Sequence, residues 1–266
     1  MNTKHGFPNK GNDGNPLKRK PLRQAGQSDA DMVRSLEFEI ALYLGIGLFV
    51  GLFAIYIWLT WIARVPPNPW VWTVIALIVI PLCYLRIRRL VAKRNNYDLG
   101  RQGEIEVGNF LEELRKEGYD IFHDVQCDRE GRKFNIDHVI VSPHGIFAVE
   151  TKAPRKRLVG NNRVYFDGQS TIKISGRASD RETVPNAISK ASFLANNILP
   201  KGRNPKRDHV ISILAYPGWS VIGNHLGKDT WVLNPGQLKA VISQQPLSLT
   251  HEQCDSVSQF LKERNR

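Results

Sequence analysis

Two long apolar runs stand out near the N-terminus of the chain. The first, residues 40–63, contains 24 residues without a charge, and the second, residues 69–85, contains 17 and includes Pro81. About 20 apolar residues in a helix span the ~30 Å hydrocarbon layer of a bilayer. The pattern predicts a two-helix transmembrane hairpin over residues 40–85. The alternative is a buried hairpin of a soluble protein, but such core helices rarely run so far without a charge.

Basic residues flank this hairpin on one side only, which predicts its orientation. Residues 18–34 and 86–94 each contribute five lysines and arginines, whereas only Arg64 lies between the two runs. By the positive-inside rule, both termini should be cytoplasmic and the protein should lie in the inner membrane. Residues 86–94 are expected to contact anionic lipid headgroups. We further expect a disordered basic arm over residues 1–39 and a basic juxtamembrane linker over residues 86–98.

From residue 99 onward, the pattern is that of a mixed α/β domain extending to residue 266. Apolar residues at 107, 110, 111 and 114 predict an amphipathic helix that ends near Gly118. The expected fold class is α/β, with a mixed sheet flanked by helices. The further predicted strands are Asp120–Gln126, Asn135–Ser142, Ile146–Lys152, Val159–Phe166, Gln169–Ile174 and His209–Tyr216, and the predicted helices are Val184–Leu199, Pro235–Ser243 and Thr250–Lys262.

The overall charge indicates an anionic partner. The formal net charge is +12 and the isoelectric point about 9.8, which favours nucleic acid, anionic lipid headgroups or both. The three cysteines, Cys83, Cys127 and Cys254, form no C-x-x-C pair. Their spacing argues against a disulfide framework or a structural zinc site and fits a reducing compartment.

Three charged residues interrupt the otherwise apolar strands after residue 134. Asp137, Glu150 and Lys152 stand where desolvating a charge is expensive unless it is paired or bound to a metal. A two-residue loop at His144-Gly145 would place Asp137 opposite Lys152, and all three side chains would then leave one face of the sheet. Glu104 lies on the same helical stripe as Val107, from where it could reach the site.

Two carboxylates and a lysine on one face can bind a hard divalent cation, Mg²⁺ or Mn²⁺, through oxygen ligands. The ammonium group would orient a water molecule or neutralise charge on a phosphate. The structural alternative for Asp137, Glu150 and Lys152 is a buried ion-pair network. For Glu104 the alternative is a first-turn carboxylate that interacts favourably with the helix dipole.

The sequence here resembles a known family. The G-x-x-G-E segment at residues 100–104, followed by I-D-H-V-x-V-x-x-x-G-I-F-x-V-E-T-K at residues 136–152, is similar to the NERD (nuclease-related) domain and to the PD-(D/E)XK nuclease superfamily. The resemblance extends over residues 100–199. It implies that Asp137 and Glu150 are metal ligands, that Lys152 is the lysine of the motif, and that Glu104 is the helix-borne acid. Lys190 stands where the family usually has glutamine.

These features together predict a membrane-anchored, metal-dependent nuclease acting on DNA, with RNA as the alternative substrate. Asp137 and Glu150 would hold the metal ion, and Lys152 would assist the attacking water. The rival hypothesis is a non-catalytic membrane tether, in which the same fold binds nucleic acid or a protein. Basic residues near the motif would steer a polyanion towards the site, although they could equally form a solvated surface; they are Arg155, Lys156, Arg157, Arg163 and Lys190.

Overall fold

The protein is described by a computed structural model covering residues 23–64, 68–156, 162–178, 181–198 and 210–264. Two long helices, α1 (Gln27–Ile62) and α2 (Pro69–Arg115), lead into the rest of the chain. Both are long and apolar enough to cross a membrane, and only 11% and 6% of their most apolar windows is buried. Their apolar side chains therefore face outward, which is not the arrangement of core helices in a soluble protein.

Both helices extend beyond the predicted boundaries. Helix α1 begins at Gln27, so residues 27–39 are helical where a disordered arm was expected, and residues 1–22 lie outside the described part. Helix α2 runs without a break through Pro81, the expected linker at residues 86–98 and the helix predicted to begin at Leu99. The linker residues are basic and polar but include no glycine or proline. Their composition therefore allows the helix to continue.

A mixed five-stranded sheet forms the centre of the domain, with strand order β1-β2-β3-β7-β9. The first three strands are antiparallel, and β3, β7 and β9 are parallel. This sheet and its flanking helices confirm the predicted α/β fold class. A smaller sheet has the order β6-β5-β4-β8. The strands are β1 (Asp120–Arg129), β2 (Arg132–Ser142), β3 (Gly145–Thr151), β4 (Arg163–Phe166), β5 (Ile172–Ile174), β6 (Arg177–Ala178), β7 (Val210–Ala215), β8 (Ser220–Gly223) and β9 (Thr230–Leu233).

Helices cover both faces of the main sheet. They are α3 (Thr183–Phe193), which continues as a π-helical turn over Leu194–Ile198, α4 (Pro235–Ser243) and α5 (His251–Arg264). On one face, the C-terminal part of α2 and α4 pack through Val107, Leu111 and Leu238. On the other face, the end of α3 and α5 contribute Leu194 and Leu261 to a second apolar cluster. Helices α2 and α3 both contact β3, and Glu150 lies near the end of that strand.

Candidate active site

The register of the β2–β3 hairpin sets two acidic residues side by side. Ser142 pairs with Gly145 across a two-residue loop. This register places Asp137 opposite Glu150, and not opposite Lys152 as the sequence predicted. The register differs from the prediction by two residues, an even number, so Asp137 and Glu150 still share one face of the sheet. Both side chains are buried, with exposed fractions of 6% and 5%.

A third carboxylate, Asp124, extends this acidic row onto β1. The neighbouring pairs His123–His138 and Val125–Ile136 place Asp124 opposite Asp137. Asp124 is fully buried and has a left-handed backbone conformation, with φ of +50°. Sequence reasoning missed this residue. The signal was the one that identified Asp137, namely a charge inside an apolar strand.

Glycine at position 103 explains how Glu104 reaches the acidic row. A Cβ atom at Gly103 would lie 2.6 Å from Cβ of Ala153 and 3.3 Å from Cγ2 of Thr151. The missing side chain therefore lets α2 approach the end of β3 closely. Glu104, the next residue, is 9% exposed, and within the described ranges its buried Oε2 atom has no hydrogen-bond partner.

The electrostatic environment of these carboxylates disfavours their charged forms. Burial, followed by the charge of Asp137, raises the pKa of Glu104 to about 9. Burial and Asp137 likewise raise the pKa of Glu150 to about 7. Burial also raises the pKa of Asp137, although Lys190, the Thr151 backbone N–H and Lys152 oppose the shift. Carboxyl groups that share a buried region in this way require protons or a cation to offset their repulsion.

Lys190 supplies one such positive charge. Its Nζ atom lies 2.7 Å from both carboxylate oxygens of Glu150. The residue lies on α3, and its side chain is 23% exposed. Lys190 therefore does not take the role of the neutral glutamine that the family resemblance implies at this position. It is the direct counter-ion of Glu150.

One member of the acidic row, Glu150, opens into a cleft of about 400 Å³ that is rich in positive charge. Glu150 and Lys190 lie in its lining, together with Lys152, which follows the end of β3. Three further basic residues, all from the β1–β2 hairpin, also line the cleft; they are Arg129, Arg132 and Lys133. A polyanion in the cleft would thus meet five cationic side chains beside the acidic residues.

The hairpin residues were missed because the sequence analysis did not identify the β1–β2 turn. Glu130 and Gly131 form it, with φ values of +53° and +82°, and a Glu-Gly pair between polar residues was the available signal. Arg129 is held in place by two aromatic rings. Its guanidinium carbon lies 5.1 Å from the ring centre of Phe193 and 5.8 Å from that of Phe134.

The other predicted basic residues lie elsewhere. Arg155 and Lys156 line a separate cleft beside α2 and Trp219, and the Lys156 ammonium lies 6.0 Å from a ring centre of Trp219. Arg163 is on β4 in the smaller sheet, and Arg157 lies outside the described residues. Of the basic residues predicted from the sequence to bind nucleic acid, the structure places Lys190 in the lining of the acidic cleft.

A chain of hydrogen bonds connects the protein surface to the back of the site. His123 Nε2 lies 2.8 Å from a Glu112 oxygen, the Nδ1 atoms of His123 and His138 are 2.8 Å apart, and His138 Nε2 lies 3.3 Å from the Thr151 hydroxyl. A carboxylate only accepts, so His123 donates to Glu112, His138 donates to His123, and Thr151 donates to His138. The Thr151 backbone N–H in turn donates to Asp137 at 2.7 Å. Burial lowers the pKa of both histidines, which keeps them neutral at pH 7.

The donor atoms available for a metal ion are carboxylate oxygens. Mg²⁺ prefers such hard ligands, and it usually takes one or two carboxylates, completing its shell with water and substrate phosphate. In the part of the chain that the structure describes, no group of three or more His, Cys, Asp or Glu side chains is arranged to hold a metal ion. The unpartnered Glu104 oxygen and the raised pKa values are the features that fit a cation. A site with two protein ligands, Asp137 and Glu150, agrees with the lack of a three-residue group among the described residues and with the raised pKa values of these two carboxyl groups.

Comparison with known proteins gives one family match. The model of the nuclease-related domain, NERD, matches residues 99–217, a range that includes Glu104, Asp137, Glu150, Lys152 and Lys190. Comparisons with curated proteins and with solved structures give no significant match. The chain therefore contains a nuclease-related domain at residues 99–217, preceded by two helices that are long and apolar enough to cross a membrane.

Proposed function

We propose that this protein is a metal-dependent nuclease that hydrolyses phosphodiester bonds of DNA, with RNA as the alternative substrate, at the inner membrane. The observation that carries the proposal is the position of the buried Glu150, which lies opposite Asp137 in the β2–β3 hairpin, in a cleft lined by five lysines and arginines. Carboxylates provide ligands for a metal ion, and the cations attract a phosphate backbone. The two features occur at one place in the fold.

Asp137 and Glu150 would hold Mg²⁺ or Mn²⁺. A bound divalent cation supplies Lewis-acid polarisation of a phosphoryl oxygen and lowers the pKa of a bound water. Lys152 lines the cleft beside Glu150 and would orient the attacking water or offset charge on the phosphate. Lys190 already neutralises Glu150, so a cation must compete with it for the Glu150 oxygens. Glu104 holds a proton at neutral pH in the metal-free protein because its pKa is about 9.

The substrate would approach along the β1–β2 hairpin. Arg129, Arg132 and Lys133 line the cleft on that side, and phosphate contacts by such residues make binding weaker as the salt concentration rises. Cleft residues of this type bind the backbone without reading the bases. We therefore propose a nuclease with little sequence preference.

The two long helices would anchor the domain in the membrane, with both termini in the cytoplasm. Basic residues flank the apolar segments on one side, as the positive-inside rule requires of cytoplasmic ends. Residues 86–94 belong to the continuous helix α2, and their basic side chains would lie at the headgroups. A reporter fused after Arg266 should be active only in the cytoplasm. Activity only outside the cytoplasm would refute this topology.

The function can be tested with the full chain in detergent micelles. Single- and double-stranded DNA and RNA are incubated with Mg²⁺, Mn²⁺ or a chelator, and the variants Asp137→Asn and Glu150→Gln are compared with Asp255→Asn, an exposed residue of α5. We expect metal-dependent cleavage by the wild type and the control, and loss of cleavage in both site variants. Absence of cleavage of every substrate with either metal would refute the nuclease.

A second candidate is a non-catalytic tether that binds nucleic acid or a protein at the membrane. The observation in its favour is the close ion pair between Glu150 and Lys190, which already neutralises one of the acidic groups. In that case, Glu150→Gln would leave Lys190 without its counter-ion and destabilise the fold strongly. Divalent ions would then fail to raise the Tm of the wild-type protein, whereas a metal-binding nuclease should show such an increase.

A further inference from the structure

The segment Arg23–Asp29, which leads into the first long helix, lies directly against the nuclease-related domain. Two glycines of α2 make this approach possible. A Cβ atom at Gly108 would lie 2.8 Å from Cβ of Ala25, and one at Gly100 would lie 2.8 Å from a carboxylate oxygen of Asp29. Glycine inside a helix lowers the stability of that helix. Its presence at both contact points is explained by the space that the segment Arg23–Asp29 needs there.

This segment also satisfies the buried charge of Asp124. The Nε atom of Arg23 donates to Asp124 at 2.7 Å, and the Ser28 hydroxyl donates to it at 2.8 Å. The remaining contact comes from Asn135 on β2, at 2.6 Å. Asp124 is fully buried, so its charge requires this support. Among these three partners, Arg23 is the cationic one, and it lies outside the family match.

Asp29 adds another acidic side chain at the same place. It is partly buried, and burial followed by the charges of Asp137 and Asp124 raises its pKa to about 6. Arg101, on α2, opposes this shift. The carboxylate of Asp29 is thus within electrostatic reach of the acidic row, although it lies on the helix that enters the membrane.

We propose that the segment Arg23–Asp29 is part of the acidic site, in which Arg23 and Ser28 position Asp124, and Asp29, next to Ser28 and against Gly100 of α2, adds negative charge to the acidic row. The site is then complete only when the first long helix is attached to the domain. A fragment that begins at residue 97 would retain every residue of the family motif but would leave Asp124 buried without its cation. The role of the segment in fixing β1 is independent of catalysis, whereas its effect on metal binding rests on the proposed nuclease function.

The test uses the full chain in detergent micelles and the variants Arg23→Gln, Arg23→Lys and Asp29→Asn. The matched controls are Arg34→Gln and Asp31→Asn, because these two residues form an exposed ion pair on the same helix. Hydrogen exchange of the β1 and β2 amides is measured first. We expect exchange in Arg23→Gln to be at least tenfold faster than in the wild type, with partial recovery in Arg23→Lys and no change in the controls.

The second measurement is the Mg²⁺ concentration that gives half of the maximal increase in Tm. Asp29→Asn should raise this concentration severalfold, because it removes negative charge beside the metal ligands, whereas Asp31→Asn should leave it unchanged. A purely structural role of Asp29 would not move this concentration.

Three outcomes distinguish the two proposals. If exchange in Arg23→Gln equals that in Arg34→Gln, the segment does not position Asp124 and the inference is overturned. If Asp29→Asn and Asp31→Asn require the same Mg²⁺ concentration, the metal-facing role of Asp29 is refuted. If Mg²⁺ has no effect on the wild type while Arg23→Gln still exchanges faster, the metal-dependent function fails but the positioning role of Arg23 is supported.

Discussion

Replacing Glu104 with glutamine should stabilise the metal-free protein at neutral and alkaline pH. Glu104 is 9% exposed, and burial together with Asp137 raises its pKa from 4.5 to about 9. At a pH between these two pKa values, Glu104 holds a proton in the folded protein but not in the unfolded chain. The contribution of this group to stability is therefore fully present below pH 4.5 and is lost as the pH rises towards 9. Glutamine has the shape of the protonated acid and does not titrate.

The expected magnitude follows from the pKa shift. At pH 7 the solution lies about 2.5 units above the unfolded-state pKa and still below the folded-state pKa, and each unit corresponds to ~1.4 kcal/mol. The free energy of unfolding of Glu104→Gln should therefore exceed that of the wild type by about 3 kcal/mol at pH 7. For a domain of this size that corresponds to a Tm increase of roughly 6–12 °C. The difference should vanish below pH 4.5.

Thermal unfolding between pH 4 and pH 9 tests this prediction, with chelator present and then with Mg²⁺ or Mn²⁺. Glu106→Gln is the matched control, since Glu106 is exposed on the same helix two residues away. A metal ion should raise the Tm of the wild type more than that of Glu104→Gln, because a nearby cation favours the ionised form of Glu104, which glutamine cannot adopt. A Glu104→Gln protein less stable than the wild type in chelator at pH 8 would refute this reasoning.

Three further results are expected. The titration of His123 and His138 should lower stability as the pH falls below 6.5, in opposition to Glu104, because both have lowered pKa values and the unfolded chain binds protons that the folded protein excludes. Urea unfolding at pH 7 and pH 5 of the wild type and of His138→Gln, which lacks one of these groups, checks this; the same change in stability between the two pH values in both proteins would contradict it. Gly103→Ala should lower the free energy of unfolding by about 1–3 kcal/mol, because the added methyl group forces α2 away from β3. Gly45→Ala is the control, since its methyl group would enter open space; equal Tm values for the two variants would contradict the close approach. Arg132→Ala should weaken binding of nucleic acid and reduce the slope of log affinity against log salt concentration by the equivalent of about one phosphate contact. Arg163→Ala, on the smaller sheet, should change neither; equal slopes for the wild type and both variants would contradict the assignment of the cleft.

The sequence identified those parts of the site that depend on local periodicity. Asp137 and Glu150 were expected on one face because alternation along two strands fixes the face for any connection of even length. The same reasoning could not fix the register, and the observed loop pairs Ser142 with Gly145. Asp137 consequently lies opposite Glu150, and Lys152 lies beyond the end of β3.

Contacts between distant segments could not be predicted in this way. Arg23 binds Asp124 across 101 positions of the chain, and no periodic pattern connects a residue before the first long apolar helix with a strand of the domain. The predicted linker at residues 86–98 was a related error, because its basic composition indicated a change of environment while its helix-forming residues allowed α2 to continue. Composition identifies the surroundings of a segment better than its backbone conformation.

If the protein is anchored as proposed, the continuity of α2 means that the number of residues in this one helix sets the height of the site above the bilayer. Nineteen positions separate Leu85, at the end of the apolar segment, from Glu104, which is about 28 Å along the helix axis. Each residue inserted between them would lift the site by about 1.5 Å and turn it by about 100° around that axis. A domain joined to its anchor by a flexible tether would sample a wide volume, whereas in the proposed arrangement the continuous helix would hold the site at a fixed distance and orientation from the membrane.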